Sequence, residues 1–199
     1  MDITIAIFNA FNRESVLGGA KIIRDEKGKP YRRLSANVVA GVSFTHVRQA
    51  RPPFSLVAMC NNPHIGIDAE IWPLGKADPA FLDSVASFED RPILARLGHL
   101  NYDPARFLWV VKEAALKASG EVMIDPRDLA VEMSHNGHIK VSSTRRASAP
   151  FAEIGVRILQ LKPREGDETV LLAIATTDID AMKIAFSEPE WTLQTIAMH

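Results

Sequence analysis

The most informative stretch of this chain is Trp109-Val-Val-Lys112-Glu113-Ala-Ala-Leu-Lys117-Ala-Ser-Gly120. Its apolar residues recur three or four positions apart, which predicts a helix with one face on the core. Glu113 and Lys117 are four residues apart and share a face of that helix, with Lys112 beside them. A carboxylate between two lysines suits a site that holds both a phosphate and a metal ion. The same spacing is also typical of an ordinary exposed ion pair.

Residues on either side predict where this helix begins and ends. Asp103 can accept hydrogen bonds from the first free N–H groups, and Pro104 suits the first turn because its fixed φ is already helical. Gly120 can adopt the left-handed conformation that closes many helices. We therefore expect a helix that starts at Pro104 and stops before Gly120.

A second group of acidic residues lies upstream, in the run His64-Ile-Gly-Ile-Asp68-Ala-Glu70. The alternation of apolar and polar residues predicts a strand that projects Asp68 and Glu70 from one face, roughly 7 Å apart. Together with Glu113 they could supply part of the oxygen octahedron that Mg²⁺ prefers. Taken alone, the two strand carboxylates are more typical of the solvated face of an edge strand.

Composition limits the classes of function. The chain has 199 residues, of which 47% are hydrophobic and 24% charged, so it can bury a substantial core. A net charge of -1 gives no overall attraction to nucleic acid or to an anionic membrane, and we expect neither as a partner. The single cysteine, Cys60, allows no internal disulfide. No apolar run is long enough for a membrane span, so a cytoplasmic protein is expected.

The remaining patterns predict a chain of alternating strands and helices. Asn136-Gly137 is typical of a tight hairpin turn, and the tail 188–199 has no evident partner. Helices are predicted at Asn12–Arg24, Ala80–Phe88 and Arg91–Leu97. Strands are predicted at Ile3–Phe8, Val38–Phe44, Phe54–Met59, His64–Ile71, Leu129–Ser134, His138–Ser143, Ile154–Leu161 and Thr169–Thr176.

A weak internal repeat relates two pairs of these strands. Asp2–Phe8 is similar to His64–Glu70, and Phe54–Met59 is similar to residues 170–175. The expected fold is therefore α+β, with two similar subdomains related by a pseudo-twofold axis, each a small, mostly antiparallel sheet packed with helices. The predicted halves are residues 1–63 and 64–187, followed by the tail. Ala6 and Phe8 replace Asp68 and Glu70 in the first half, so one site is expected, in the second.

Four motifs in order make the chain resemble a known family. They are Gly28-Lys29-Pro30-Tyr31, Ser43-Phe44-Thr45-His46, Gly66-Ile67-Asp68-Ala69-Glu70 and Trp109-x-x-Lys112-Glu113-Ala114-x-x-Lys117-x-x-Gly120. The set resembles the signature of the 4'-phosphopantetheinyl transferase superfamily, and most closely its surfactin-type, two-half branch. The N-terminal half of this chain is shorter than in that branch, and Thr45 replaces the usual serine.

The resemblance implies transfer of 4'-phosphopantetheine from coenzyme A to a serine of an apo acyl or peptidyl carrier protein, releasing 3',5'-ADP. A monomer is expected from the two-subdomain fold. Matched by position, Asp68, Glu70 and Glu113 are the Mg²⁺ ligands, and Glu113 is also the general base. Lys112 and Lys117 match the pyrophosphate-side lysines, with Lys117 part of the catalytic set. The family positions that contact the nucleotide and its 3'-phosphate correspond here to Lys29, Thr45 and His46.

Two other functions remain open on the sequence alone. The short first half is compatible with a homologue that has lost turnover and only binds coenzyme A or a carrier protein. Three carboxylates and two lysines would also suit a metal-dependent hydrolase of a diphosphate ester.

Overall fold

A computed structural model of the chain describes residues 1–8, 17–35, 38–72, 78–99, 102–121, 124–134, 138–144, 153–164, 168–180, 182–186 and 190–196. The helices in these residues are α1 Pro79–Val85, α2 Arg91–His99 and α3 Pro104–Ser119, with two short 3-10 turns at Phe88–Asp90 and Pro126–Asp128. The strands are β1 Asp2–Phe8, β2 Ile22–Arg24, β3 Pro30–Arg33, β4 Val39–Val47, β5 Phe54–Cys60, β6 Ile65–Ile71, β7 Leu129–Met133, β8 Ile139–Ser143, β9 Ile154–Pro163, β10 Val170–Thr176, β11 Lys183–Phe186 and β12 Trp191–Thr195.

The strands form two sheets, and this confirms the predicted α+β class with mostly antiparallel sheets. The first sheet has the order β11-β1-β5-β4-β3-β2, and the second has the order β6-β10-β9-β8-β7, with β12 paired to β9. Only the β1–β11 pairing is parallel among the described strands. None of the described helices is long and apolar enough to cross a bilayer.

Five strands of each sheet follow the same order along the chain. In the first sheet β1 lies next to β5, and in the second β6 lies next to β10. Ala6 pairs with Val57 in the first sheet, and Asp68, its counterpart in the sequence repeat, pairs with Ala173 in the second. The repeat therefore coincides with equal strand order and equal register, while the pseudo-twofold relation and the predicted domain boundaries stay predictions.

Helix α3 begins and ends as its flanking residues predict. The Asp103 carboxylate accepts hydrogen bonds from the backbone N–H groups of Ala105 and Arg106, at 3.0 and 3.2 Å. Gly120 closes the helix with a φ of 80°, a conformation that L side chains rarely adopt. These local contacts fix the register of the helix, and with it the direction in which Glu113 and Lys117 point.

Close packing brings α3 against β6 and β6 against β4. A Cβ added to Gly66 would lie 2.0 Å from the carbonyl oxygen of Ala114, so only glycine allows this approach of strand and helix. On β4, the Ser43 hydroxyl accepts a hydrogen bond of 3.0 Å from the backbone N–H of Ile67. Strand β6 is thus held between the first sheet and α3, which places its carboxylates near both.

The predicted helix Asn12–Arg24 is wrong at its end, where Ile22–Arg24 forms strand β2. Residues 9–16 lie outside the described residues. Gly18 and Gly19 have φ values of 58° and 68°, which no right-handed helix accommodates. The β-branched pair at 22 and 23 then extends and pairs with β3, which the sequence did not predict.

Two further predictions need correction. The tail was expected to lack a partner, but β12 pairs with residues 159–163 of β9. Strand β8 occupies only residues 154–156 along that edge, so the long β9 leaves room for β12. The helix predicted to reach Phe88 ends at Val85, and Phe88 begins a 3-10 turn. The turn predicted at Asn136-Gly137 lies outside the described residues, although β7 and β8 on either side pair as expected.

Candidate functional site

Residues from three of the sequence motifs meet at Asp68. This side chain lies on β6 and is buried. Its Oδ1 accepts a hydrogen bond of 3.0 Å from the Thr45 hydroxyl on β4 and one of 2.6 Å from the Lys117 ammonium on α3. The chain separation is 23 residues to Thr45 and 49 to Lys117, so the fold alone brings these groups together.

Glu70 and Glu113 are partly buried and share the electric field of this pair. Burial raises the pKa of Glu70, the negative charge of Asp68 adds to the rise, and Arg106 and Lys117 oppose it. Burial likewise raises the pKa of Glu113, which Lys117 lowers and Asp68 raises. We call Asp68, Glu70 and Glu113 the carboxylate cluster. The negative charge of Asp68 repels both glutamates, and a positive charge beside it relieves that repulsion.

The carboxylate cluster offers the kind of donor that Mg²⁺ binds, because all its ligating atoms are hard oxygens. Among the described residues there is no group of three or more His, Cys, Asp or Glu side chains arranged to hold a metal ion. The positive charge that lies against Asp68 is instead the Lys117 ammonium. The donor chemistry therefore fits the metal, and the lysine takes up the charge of the central carboxylate.

A cleft of about 250 Å³ adjoins this cluster. Its lining includes Arg24, Lys29, Ser43, Lys117 and Gly120, and none of the described residues that line it is acidic. Three cations around a small cleft make it suited to a phosphate group. Lys117 belongs to both places, since it lines the cleft and also pairs with Asp68.

Lys29 enters the cleft from the turn between β2 and β3. The Asp25 carboxylate accepts the backbone N–H groups of Lys27 and Lys29, at 3.0 and 2.8 Å, and so holds this turn. The Lys29 side chain is buried, and its ammonium donates to the carbonyl oxygen of Ala118 near the end of α3. Burial lowers the pKa of Lys29 to about 8, against the opposing influence of Asp25 and Cys60. An anion beside it would restabilise the ammonium.

His46 points away from Thr45, because neighbouring residues of a strand face opposite sides of a sheet. Its Nδ1 lies 2.6 Å from the Ser55 hydroxyl, and its ring packs at 6.5 Å from the ring of Phe8. The imidazole is exposed and does not line the cleft. The structure therefore does not bring His46 to Asp68, and its contact with the nucleotide stays a prediction.

The Lys112 ammonium contacts other elements of the fold than the Lys117 ammonium does. Lys112 donates to Asp90 Oδ2 at 2.6 Å, to the Val85 carbonyl at 2.8 Å and to the Pro126 carbonyl at 3.0 Å. These bonds use all three of its N–H groups. The side chains of Lys112 and Asp90 are both completely buried. Its predicted contact with pyrophosphate stays a prediction, while the observed contacts all go to the protein.

Sequence reasoning missed two residues of this region. Arg24 lines the cleft, and its guanidinium is held over the turn by a hydrogen bond of 2.6 Å to the Gly28 carbonyl. No local pattern indicates this, since Arg24 was placed in a helix. Asp90, the partner of Lys112, could have been found from Ser87-x-x-Asp90, a spacing in which the acidic side chain caps its own turn.

Neither the models of known protein families nor the curated proteins contain a match to this chain.

Proposed function

We propose that this protein is a 4'-phosphopantetheinyl transferase, which moves 4'-phosphopantetheine from coenzyme A to a serine of an apo acyl or peptidyl carrier protein. The observation that carries the proposal is the convergence of Thr45, Asp68 and Lys117, which come from three separate motifs. The adjoining cationic cleft supports it, because coenzyme A carries three phosphate groups.

In the proposed reaction the serine oxygen bonds to the phosphorus next to pantetheine, the bond from that phosphorus to its bridging oxygen breaks, and 3',5'-ADP leaves. Asp68, Glu70 and Glu113 would hold Mg²⁺, which when bound neutralises charge on the diphosphate. Lys29 and Lys117 bind the phosphate oxygens as point charges.

Glu113 accepts the serine proton, directly or through water, in this proposal. Its position on α3 is fixed by the caps of the helix and by the close contact with Gly66. Burial raises the pKa of Glu113 above its usual range, which makes it a better proton acceptor than an exposed glutamate. Lys117 opposes this rise, because its positive charge favours the ionised form of the carboxylate.

The same proposal includes the two halves of the fold, the number of sites and the partners. The two sheets are the cores of two halves related by a pseudo-twofold axis, and the equal strand order and register support this. Only the second half carries the carboxylates, so one site per chain is proposed. We further propose a cytoplasmic monomer with coenzyme A and a carrier protein as its partners.

The test is carrier modification followed by intact mass spectrometry. The protein is mixed with coenzyme A, Mg²⁺ and separate apo acyl and peptidyl carrier proteins, and a mass gain of one phosphopantetheine group is expected. Glu113→Gln should lower the initial rate by about 100-fold or more, the lower range for a lost general base. Glu132→Gln, an exposed glutamate on β7, is the matched control and should keep the rate.

Three results would contradict the proposal. Full activity of Glu113→Gln would remove the proposed base. Binding of coenzyme A without transfer to either class of carrier would favour the binding-only homologue. Cleavage of coenzyme A without any carrier protein would favour the hydrolase.

A further inference from the structure

Lys117 stands between the carboxylate cluster and the cationic cleft. Its ammonium makes an ion pair of 2.6 Å with Asp68, and its side chain also lines the cleft. The side chain is 31% exposed, whereas that of Asp68 is 10% exposed. The lysine is therefore the partner with room to move, and the carboxylate is the fixed one.

The position of the ammonium matters because Asp68 Oδ1 also accepts the Thr45 hydroxyl. Two donors already share this oxygen, one neutral and one charged. A divalent cation that binds the same oxygen would meet the positive charge of Lys117 at close range. Like charges at such a distance strongly disfavour each other where water is partly excluded.

We infer that Lys117 is the resident counter-ion of the carboxylate cluster, and that a divalent cation binds there by displacing its ammonium from Asp68 toward the cleft. This inference rests on the proposed metal dependence.

Displacement of the Lys117 ammonium couples binding at the carboxylate cluster to binding in the cleft. An anion in the cleft attracts the ammonium and frees Asp68 for the metal ion. A metal ion on Asp68 releases the ammonium for the anion. Binding of each ligand therefore raises the affinity of the protein for the other. By linkage, both affinities rise by the same factor. Lys117 serves in turn as counter-ion to the carboxylates and as ligand to the phosphate.

The test measures Mn²⁺ binding to the whole protein by calorimetry, without coenzyme A or carrier protein. Lys117→Met should bind Mn²⁺ about tenfold more tightly than the unaltered protein, equivalent to ~1.4 kcal/mol, because the competing charge is gone. Lys117→Arg keeps the charge and should not bind more tightly. Thr45→Val is the matched control, since it removes a hydrogen bond to the same oxygen but no charge, and it should not tighten binding either.

The outcomes separate the inference from the proposed function. Equal or weaker binding by Lys117→Met would overturn the inference and leave the transferase proposal to the carrier assay. Tighter binding by Thr45→Val to the same degree would also overturn it, because loss of a hydrogen bond would then suffice. If none of the proteins binds Mn²⁺, both the inference and the proposed metal ligands are wrong. The carrier assay would still show whether the protein catalyses the transfer.

Discussion

Replacing Lys112 by methionine should destabilise the protein severely while leaving the cleft intact. Methionine keeps much of the volume but removes the ammonium that now bonds Asp90, Val85 and Pro126. The Asp90 carboxylate would remain buried with its two backbone donors only, the N–H groups of Ser87 and Val131, each at 2.7 Å. One uncompensated charge would be left in the interior. The Val85 and Pro126 carbonyls would lose the ammonium, although Pro126 still accepts the backbone N–H of Leu129.

The expected loss follows from these contacts. Removing one partner of a buried ion pair costs about 3–5 kcal/mol, since the remaining charge has no compensation. Chains of this size lose about 2–4 °C of melting temperature per kcal/mol, so a fall of roughly 10 °C is expected. Such a loss is a large part of the total stability of an ordinary domain, which is about 5–15 kcal/mol.

Urea unfolding followed by tryptophan fluorescence measures this free energy, and Lys140→Met serves as the control. Lys140 pairs with Glu153 at 2.7 Å on the surface, with both side chains more than half exposed, so its loss should leave the unfolding midpoint unchanged. An unchanged midpoint for Lys112→Met would refute the reasoning. A fall in coenzyme A affinity without loss of stability would instead support the pyrophosphate contact that the motif implies for Lys112.

Three further predictions concern packing and the cleft. Gly66→Ala should lower the free energy of unfolding by at least ~2 kcal/mol, because the added Cβ meets backbone of α3, whereas Gly98→Ala, with nothing within 4 Å, should not; equal effects would contradict this. Coenzyme A affinity, measured by calorimetry, should fall as pH rises through the Lys29 pKa of about 8, since the anion needs the protonated ammonium and binding raises its pKa. Lys29→Met should lose that dependence, and its persistence would exclude Lys29 as the cause. Arg24→Ala should weaken the same binding about threefold, whereas Arg33→Ala, outside the cleft lining, should not; no difference between them would remove Arg24 from the site.

Predictions from sequence were most accurate where a structure is stabilised by residues close in the chain. Asp103, Pro104 and Gly120 predicted both ends of α3, and the structure has the cap hydrogen bonds and the positive φ that they imply. The apolar periodicity of the same helix predicted its buried face. Alternation along β6 predicted a strand. The helix predicted across residues 12–24 was wrong at its C-terminal end, because two glycines and a pairing with β3 prevailed over a weak periodicity there.

The sequence motifs identified residues of the candidate site but not all of their contacts. Motif order identified Thr45, Asp68 and Lys117, and the structure brings them together. Motif order could not indicate that Lys112 and Lys117, five positions apart on one helix, have different partners. Their partners, Asp90 and Asp68, come from other elements of the fold. Arg24 was missed because its place in the cleft depends on a hairpin that the local pattern did not show.

By itself the sequence determined the helix α3, the strands that build the sheet cores and the residue types of the candidate site, because caps, periodicity and turn residues act within a few positions. Only the tertiary structure decided which charge meets which. Lys117 reaches Asp68 across 49 residues, and β12 reaches β9 across about thirty. Burial removes water from charges and strand edges, so each needs a partner within the protein. Which partner is within reach depends on the whole fold.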